Sequence, residues 1–352
     1  MYLEKIELAD YRNYEKLCIC PSEKINIIYG SNAQGKTNLL EAIYQGCTSR
    51  SHKSVKDREL IRFTKNEAHI KINLRKNDIP YRIDIHIKKN SPKGIAVNGV
   101  LLKRAVDLLG VANVVMFSPE DLSIIKNGPS ERRRFLDTEL CQLDRIYTHN
   151  LSSYNRVLEQ KNTMLKTNPN LSMLSIYNEQ LLSYGSNIQE KRKKFIDDLS
   201  PLIKKKHFSL TDNKEEIEII YEKNEMLFND EREIKAGMSL YGPHRDDFCL
   251  NINGTDIRKF GSQGQQRTAA ITLKLSEIDI VDKIIGDKPV LLLDDVFSEL
   301  DRKRQDMLLG SLEDIQVFIT CTGIDDLIER RFRMDRIFLV RNGEIDVRRE
   351  EL

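Results

Sequence analysis

The sequence predicts an α/β fold whose sheet layer is assembled from both ends of the chain and split by a helical insertion. Three observations carry this. Residues 25–29 (INIIY) are a short apolar, β-branched run ending at Gly30, with helical spacing immediately after it. Far downstream, Pro289-Val290 opens VLLLDD, a continuous apolar run of the kind found in buried parallel strands. Between the two, apolar residues recur at intervals of three and four.

Taken in order, the first residues read as a hairpin, followed by the strand at 25–29. Residues 36–46 show helical spacing at Leu39, Leu40 and Ile43, closed by Gly46. From 67 to 87 the pattern alternates, HIKINL then YRIDIHI with Asn77-Asp78 between them, which predicts an antiparallel hairpin. VNGV at 97–100 and NING at 251–254 carry the Asn-Gly pair of tight turns. Leu140, Leu143, Ile146, Leu151, Tyr154, Leu158 and Leu165 form one helical stripe. After the breaker Asn168-Pro169-Asn170 a second runs from Tyr177 through Leu181, Tyr184, Ile188, Phe195 and Leu199 to Leu202. Two helices of a compact lobe and an antiparallel coiled-coil arm both fit; at about 25 residues each helix reaches about 40 Å. The last third returns to α/β, with a charged helix near 299–313, a strand at 315–320 and a hairpin around Asn342-Gly343. The expected divisions are 1–115 (first part of the head), 116–239 (helical insertion) and 240–352 (second part of the head).

Composition narrows the class. With 56 Lys plus Arg against 54 Asp plus Glu, the net charge of +2 announces no nucleic-acid binder, so any such surface has to come from local clusters. Six scattered cysteines without a CxxC pair suit neither a metal site nor a disulfide framework, and point to a reducing cytosol. The charged N-terminus lacks an apolar signal core, and no run approaches the roughly 18 apolar residues of a membrane span. A soluble, cytoplasmic protein without a membrane partner is expected.

The chemistry begins at Gly30-Ser31-Asn32-Ala33-Gln34-Gly35-Lys36-Thr37, which fits G-x-x-x-x-G-K-[ST] between a strand and a helix. Glycines let the backbone curl its N–H groups toward phosphate oxygens, and the next helix presents its positive end, with Asn38 a further expected contact. Lys36 is expected on the β- and γ-phosphates of ATP and Thr37 on Mg²⁺. Asp294, ending the apolar strand, is the expected Mg²⁺ partner, and Asp295 the residue that polarises the attacking water; an Asp-Asp helix cap is the plain alternative. Arg12 and Asn13, on the first hairpin, are further candidates for nucleotide contact.

The long separation of these halves resembles ABC-type ATPases of the SMC class, whose head is built from both chain ends. That resemblance implies a signature sequence, and Gly261-Ser262-Gln263-Gly264-Gln265-Gln266 stands before a helical run, keeping Ser262, Gly264 and Gln265. Ser298-Glu299-Leu300-Asp301 is similar to the D-loop of the class. In such proteins the signature acts in trans, on a phosphate held by a second subunit, so an ATP-dependent homodimer is implied. Together with FSPEDL at 117–122, PSERRRFLD at 129–137 and YGPHRDDF at 241–248, the chain resembles the RecF family nearly end to end. The resemblance implies DNA repair at single-strand gaps, binding to double-stranded DNA, gapped DNA and single/double-strand junctions, and help for RecO and RecR in loading RecA. Three departures from the wider ABC pattern imply slow, switch-like turnover. Asp295 replaces a glutamate. No histidine follows the next strand, leaving Thr320 or Thr322 for that role. No Q-loop glutamine is evident at 115–122.

Three basic clusters, Arg132-Arg133-Arg134, Lys191-Arg192-Lys193-Lys194 and Lys204-Lys205-Lys206, read equally as solvated helix faces or as phosphate contacts. His244-Arg245-Asp246-Asp247 is a polar knot, either structural or linking the lobes to the ATP state. A transporter subunit, an SMC-like tether and an ATP-sensing scaffold are the rival readings. The long insertion argues against the first, and the missing long coiled coil and CxxC hook against the second.

Overall fold

The computed structural model describes residues 1–53, 55–300, 302–310, 312, 314–322 and 335–348. Two compact units divide them: Met1–Asp121 with Glu277–Leu352, and Leu122–Ser276. Residues 240–276, which the sequence assigns to the head, belong by their contacts to the second unit, because their strands pair with the insertion's own strand.

The first unit opens with β1 (Tyr2–Tyr11), β2 (Tyr14–Ile19), β3 (Ile25–Tyr29) and α1 (Lys36–Thr48). The strands β4 (Glu67–Lys76), β5 (Ile79–Lys88), β6 (Ser91–Val97), β7 (Val100–Leu101) and β8 (Val114–Phe117) follow. Sheet order β2-β1-β4-β5-β6-β7 is antiparallel throughout. The turns behave as the sequence demands: Asn77-Asp78 and Asn98-Gly99 all take positive φ, as two-residue hairpins require. One expectation fails. Helix α1 does not stop at Gly46 but continues to Thr48, because Gly46 lies inside it against β4, where a Cβ would collide with the Ile72 side chain.

The second unit contains α2 (Leu122–Lys126), α3 (Pro129–Leu143), α4 (Arg145–Thr167), α5 (Leu171–Leu210), β9 (Ile217–Glu222) and α6 (Asp230–Ala236). After it come β10 (Asp247–Ile252), β11 (Thr255–Asp256), α7 (Ile257–Phe260) and α8 (Gln263–Ile285), the last crossing the unit boundary. The first apolar stripe is two helices rather than one, since Asp144 caps α4 by accepting from the N–H of Ile146 and Tyr147. The second is longer than expected: α5 has 40 residues, about 60 Å, and carries Pro201 inside it. Its length is supported by α4 along one part and β9 along another, so the lobe is helices backed by the sheet β11-β10-β9.

The chain then returns to the first unit through β12 (Val290–Asp294), α9 (Arg302–Gly310), β13 (Val317–Cys321), β14 (Arg336–Arg341) and β15 (Glu344–Arg348). These join β3 and β8 in the order β15-β14-β3-β13-β12-β8, parallel except for the closing hairpin. Strands from residues 25 and 336 are thus neighbours, as a head built from both chain ends requires. Helix α1 packs against strands of both sheets, and Leu39, Leu40 and Ile43 are fully buried in one continuous core. At roughly 1.5–3 kcal/mol per buried aliphatic side chain, that burial anchors the loop preceding α1. No helix among the described residues is long and apolar enough to cross a membrane.

Candidate functional site

The loop from Gly30 to Gly35 joins β3 to α1. Gly30 (φ 154°) and Gly35 (φ 119°) both occupy the region that favours glycine. A Cβ on Gly30 would collide with the Val340 carbonyl oxygen, and one on Gly35 with the Asn13 side-chain amide. Two hairpin turns grip the loop from behind. On one side Tyr14 donates to the Gly35 carbonyl (2.9 Å), Asn13 to the Gln34 carbonyl (2.8 Å), and Asn38 to Asn13 Oδ1 (2.8 Å). On the other, the N–H of Asn342 donates to Gln34 Oε1 (2.7 Å) and that of Gly343 to the Gln34 carbonyl (3.2 Å). Ser31, Asn32 and Ala33 remain exposed.

Lys36 opens α1 with only 8% of its surface exposed. Its ammonium donates to the carbonyls of Gly30 (2.6 Å) and Ser31 (2.9 Å), and no carboxylate pairs with it among the described residues. Its neighbour Thr37 donates to Asp294 Oδ1 at 2.9 Å. Strand β13 separates β3 from β12, and its Thr320 donates to the same oxygen (2.8 Å) while accepting the N–H of Asp295 (2.9 Å). Asp294 is thereby fixed at the carboxyl end of a parallel strand, where ligand sites of open α/β sheets gather. Asp295 adopts φ 52°. Of the two threonines offered by the sequence, Thr320 enters the site and Thr322 is exposed.

Arg12 sits on the β1–β2 turn, with each of its three guanidinium nitrogens already donating to a protein oxygen. Glu41 accepts from Nε (2.9 Å) and Nη2 (3.1 Å), and the Glu59 carbonyl from Nη1 (3.0 Å). The residues that sequence reasoning missed are those that hold the loop: Tyr14, Asn342 and Gly343. The Asn-Gly pair was the available signal, though only for a turn.

In the second unit, Ser262 and Gln265 form a reciprocal cap at the start of α8. The Gln265 N–H donates to Ser262 Oγ (3.2 Å), and Gln265 Oε1 accepts the Ser262 N–H (2.9 Å). Ser262, Gln263 and Gly264 are exposed at this helix N-terminus. Asp301, the end of the expected D-loop, lies outside the described residues.

Two basic clusters each contain a buried structural arginine. Arg132 is 3% exposed and forks onto Asp247 (2.6 and 2.9 Å), while Arg133 donates to the Asp246 carbonyl. Arg192 is 1% exposed, and its guanidinium reaches Asp137 (2.7 Å), Asp246 (3.1 Å), the Pro243 carbonyl (2.7 Å) and the Tyr147 hydroxyl (3.0 Å). The Asp246 carboxylate accepts from Gln189 and the Asn224 N–H on one oxygen, and from Arg192 and Tyr221 on the other. The 244–247 knot is therefore hydrogen-bonded into the polar interior of the second unit. Lys194 and Lys205 are exposed.

The chain matches the model of the RecF/RecN/SMC N terminal domain over residues 2–346. It is 49% identical to the DNA replication and repair protein RecF of Lachnoclostridium phytofermentans, over 98% of this chain and 99% of that one. The counterpart from Lachnospira eligens is 51% identical, with the same coverage of each chain. Among solved structures, one described as the recombination mediator protein RecF with ATP in the RecFOR pathway is 37% identical, with a TM-score of 0.91 over 99% of this chain and 98% of that one. An Smc head domain from Pyrococcus furiosus shares the fold at 17% identity, with a TM-score of 0.59 over 99% and 96% of the two chains.

Proposed function

This chain belongs to the RecF family, and we propose on that premise that it is an ATP-binding mediator of recombinational DNA repair in the RecFOR pathway. ATP closes two copies into a dimer on double-stranded or gapped DNA, slow hydrolysis reopens it, and the cycle assists RecO and RecR in loading RecA.

The observation that carries the nucleotide reading is Lys36, a nearly buried ammonium that among the described residues meets only carbonyls, beside the exposed residues Ser31 to Ala33. Such a charge fits an anion that the chain itself does not supply. Loop N–H groups from Ser31 to Thr37, with Asn38 behind them, would bind the phosphates, and Lys36 would neutralise the β- and γ-oxygens. Thr37 and Asp294 supply a hydroxyl and a carboxylate 2.9 Å apart, the oxygen donors that suit Mg²⁺. Mg²⁺ held by this pair would help neutralise phosphate charge. Thr320 keeps Asp294 aimed at the site, Asp295 would orient the attacking water, and Arg12, held by Glu41, would border the nucleotide. Ser262, Gly264 and Gln265 would act on the γ-phosphate held by a second copy.

The test is light scattering with ATP and gapped DNA. Lys36→Ala is expected to lose both ATP binding and dimerisation. Ser262→Arg is expected to keep ATP binding and lose dimerisation, and Asp295→Asn to accumulate ATP-bound dimer on DNA. A Ser262→Arg variant that dimerises normally overturns the trans arrangement.

The exposed ends of the basic clusters are the proposed duplex contacts. Replacing Lys194 and Lys205 by alanine should reduce the slope of log affinity against log salt by about 0.9 for each phosphate that is no longer neutralised. An unchanged slope assigns both lysines to solvent.

A further inference from the structure

The antiparallel sheet of the first unit has one face on α1 and one turned away from it. On β4, Ala68, Ile70, Ile72 and Leu74 enter the core, so Glu67, His69 and Lys71 take the opposite face. The register sets His69 directly opposite His86 on β5, with Ala9 beyond His69 and Gly94 beyond His86. Two imidazoles therefore stand side by side in one row, flanked by a methyl group and a hydrogen. A Cβ added to Gly94 would meet nothing within 4 Å. The rings stack with centroids 4.0 Å apart. Glu67, two residues before His69 and on the same face, reaches both: Oε2 lies 2.9 Å from His86 Nε2 and Oε1 3.9 Å from His69 Nε2. An open groove of about 640 Å³ runs along this face, with both histidines in its lining.

The geometry points to a divalent transition-metal site, best matched to Zn²⁺, formed by His69, His86 and Glu67 on the outer face of this sheet. Three donor atoms within 4.8 Å of one another are brought together by sheet register alone. Among the described residues this is the one such group of three. The carboxylate holds His86 Nε2 by a hydrogen bond through Oε2 (2.9 Å) and lies 3.9 Å from His69 Nε2 through Oε1, with the two rings stacked 21° from parallel. Rotating the imidazoles toward a common point brings three donors already within 4.8 Å to the roughly 3.3 Å spacing around a tetrahedral ion with bonds of about 2.0–2.1 Å. Two imidazoles and one carboxylate select a borderline ion over Mg²⁺ or Ca²⁺, which prefer all-oxygen shells. Three protein ligands leave a fourth position open to the groove, for water or for a ligand from a partner. The site uses none of the residues assigned to nucleotide binding.

The experiment is titration of the chelator-treated full chain with Zn²⁺, without nucleotide, followed by cobalt substitution. One equivalent should bind. His69→Ala with His86→Ala should weaken it by more than the roughly 10–100-fold that loss of even an outer partner costs a metal site. Glu67→Gln, which keeps the side chain's size, should also weaken binding and covers the case in which the double variant fails to fold. The exposed Cys18 and Cys20 are the competing ligands, so Cys18→Ser with Cys20→Ser should leave affinity unchanged. The cobalt form should lack a thiolate charge-transfer band. Absence of binding, binding that survives loss of both histidines, or binding lost with the cysteines overturns the proposal.

Discussion

Lys36 in the first unit and Arg192 in the second are both cations taken almost wholly out of water, yet their surroundings differ in kind. Arg192 meets two carboxylates, a carbonyl and a hydroxyl, and Asp246 in turn accepts two bonds on each oxygen. Lys36 meets two carbonyls and, among the described residues, no carboxylate. Burying a charge costs several kcal/mol unless partners offset it. In the second unit the partners are internal and the charge belongs to the architecture. In the first they are incomplete, and the deficit is held in place by two hairpin turns and a fully packed helix.

The largest expected effect breaks the second half of that comparison. Arg192→Ala leaves Asp137 and Asp246 without their cation, and should destabilise the second unit by about 3–5 kcal/mol in urea unfolding. A loss under about 1 kcal/mol would mean that the knot is not a structural unit.

An intermediate effect follows from pH. His244 lies in the same region, bonded to Tyr154 (2.7 Å) and the Ser239 carbonyl (3.1 Å). Burial lowers its pKa to about 4, with Arg245 and Arg133 helping and the Ser239 bond opposing. The unfolded chain, titrating near 6.5, therefore takes up the proton first as pH falls. Stability from this group is complete above about 6.5 and is lost on the way down to about 4, amounting to roughly 3 kcal/mol. Unfolding midpoints measured across that range should show the slope, and His244→Gln should remove its share.

The smallest effect sharpens the contrast. Lys36→Ala removes a charge that the fold does not satisfy, so unfolding free energy should change by less than about 1 kcal/mol although nucleotide binding is lost. A destabilisation as large as that of Arg192→Ala would erase the distinction between the two regions.

Much of the candidate site's local structure was legible in the sequence. Strand β3, the loop and the start of α1 announce themselves through local chemistry, since glycine spacing and an apolar run act within about ten residues. The Asn-Gly turns at 98, 253 and 342 were readable for the same reason: positive φ at both positions selects those residues. Other features were not. Gly46 signals a helix end by propensity, but Ile72 from a distant strand requires glycine inside the helix. RRR at 132–134 and KRKK at 191–194 look alike as charge runs, yet helix phase turns Arg132 and Arg192 inward onto acids far away in the chain.

What the sequence determined alone was therefore the chemistry written in short range: the phosphate-type loop, the Asp-tipped strand, the helix that follows Ser262 and the α/β pattern. Tertiary structure decided what each charge does. It placed Thr320 on Asp294, Arg12 on Glu41 and the Asn342-Gly343 turn behind Gln34, and it aligned His69 with His86. The physical reason is that a side chain's role is fixed by the partners that exclude water from it, and those partners come from other parts of the chain.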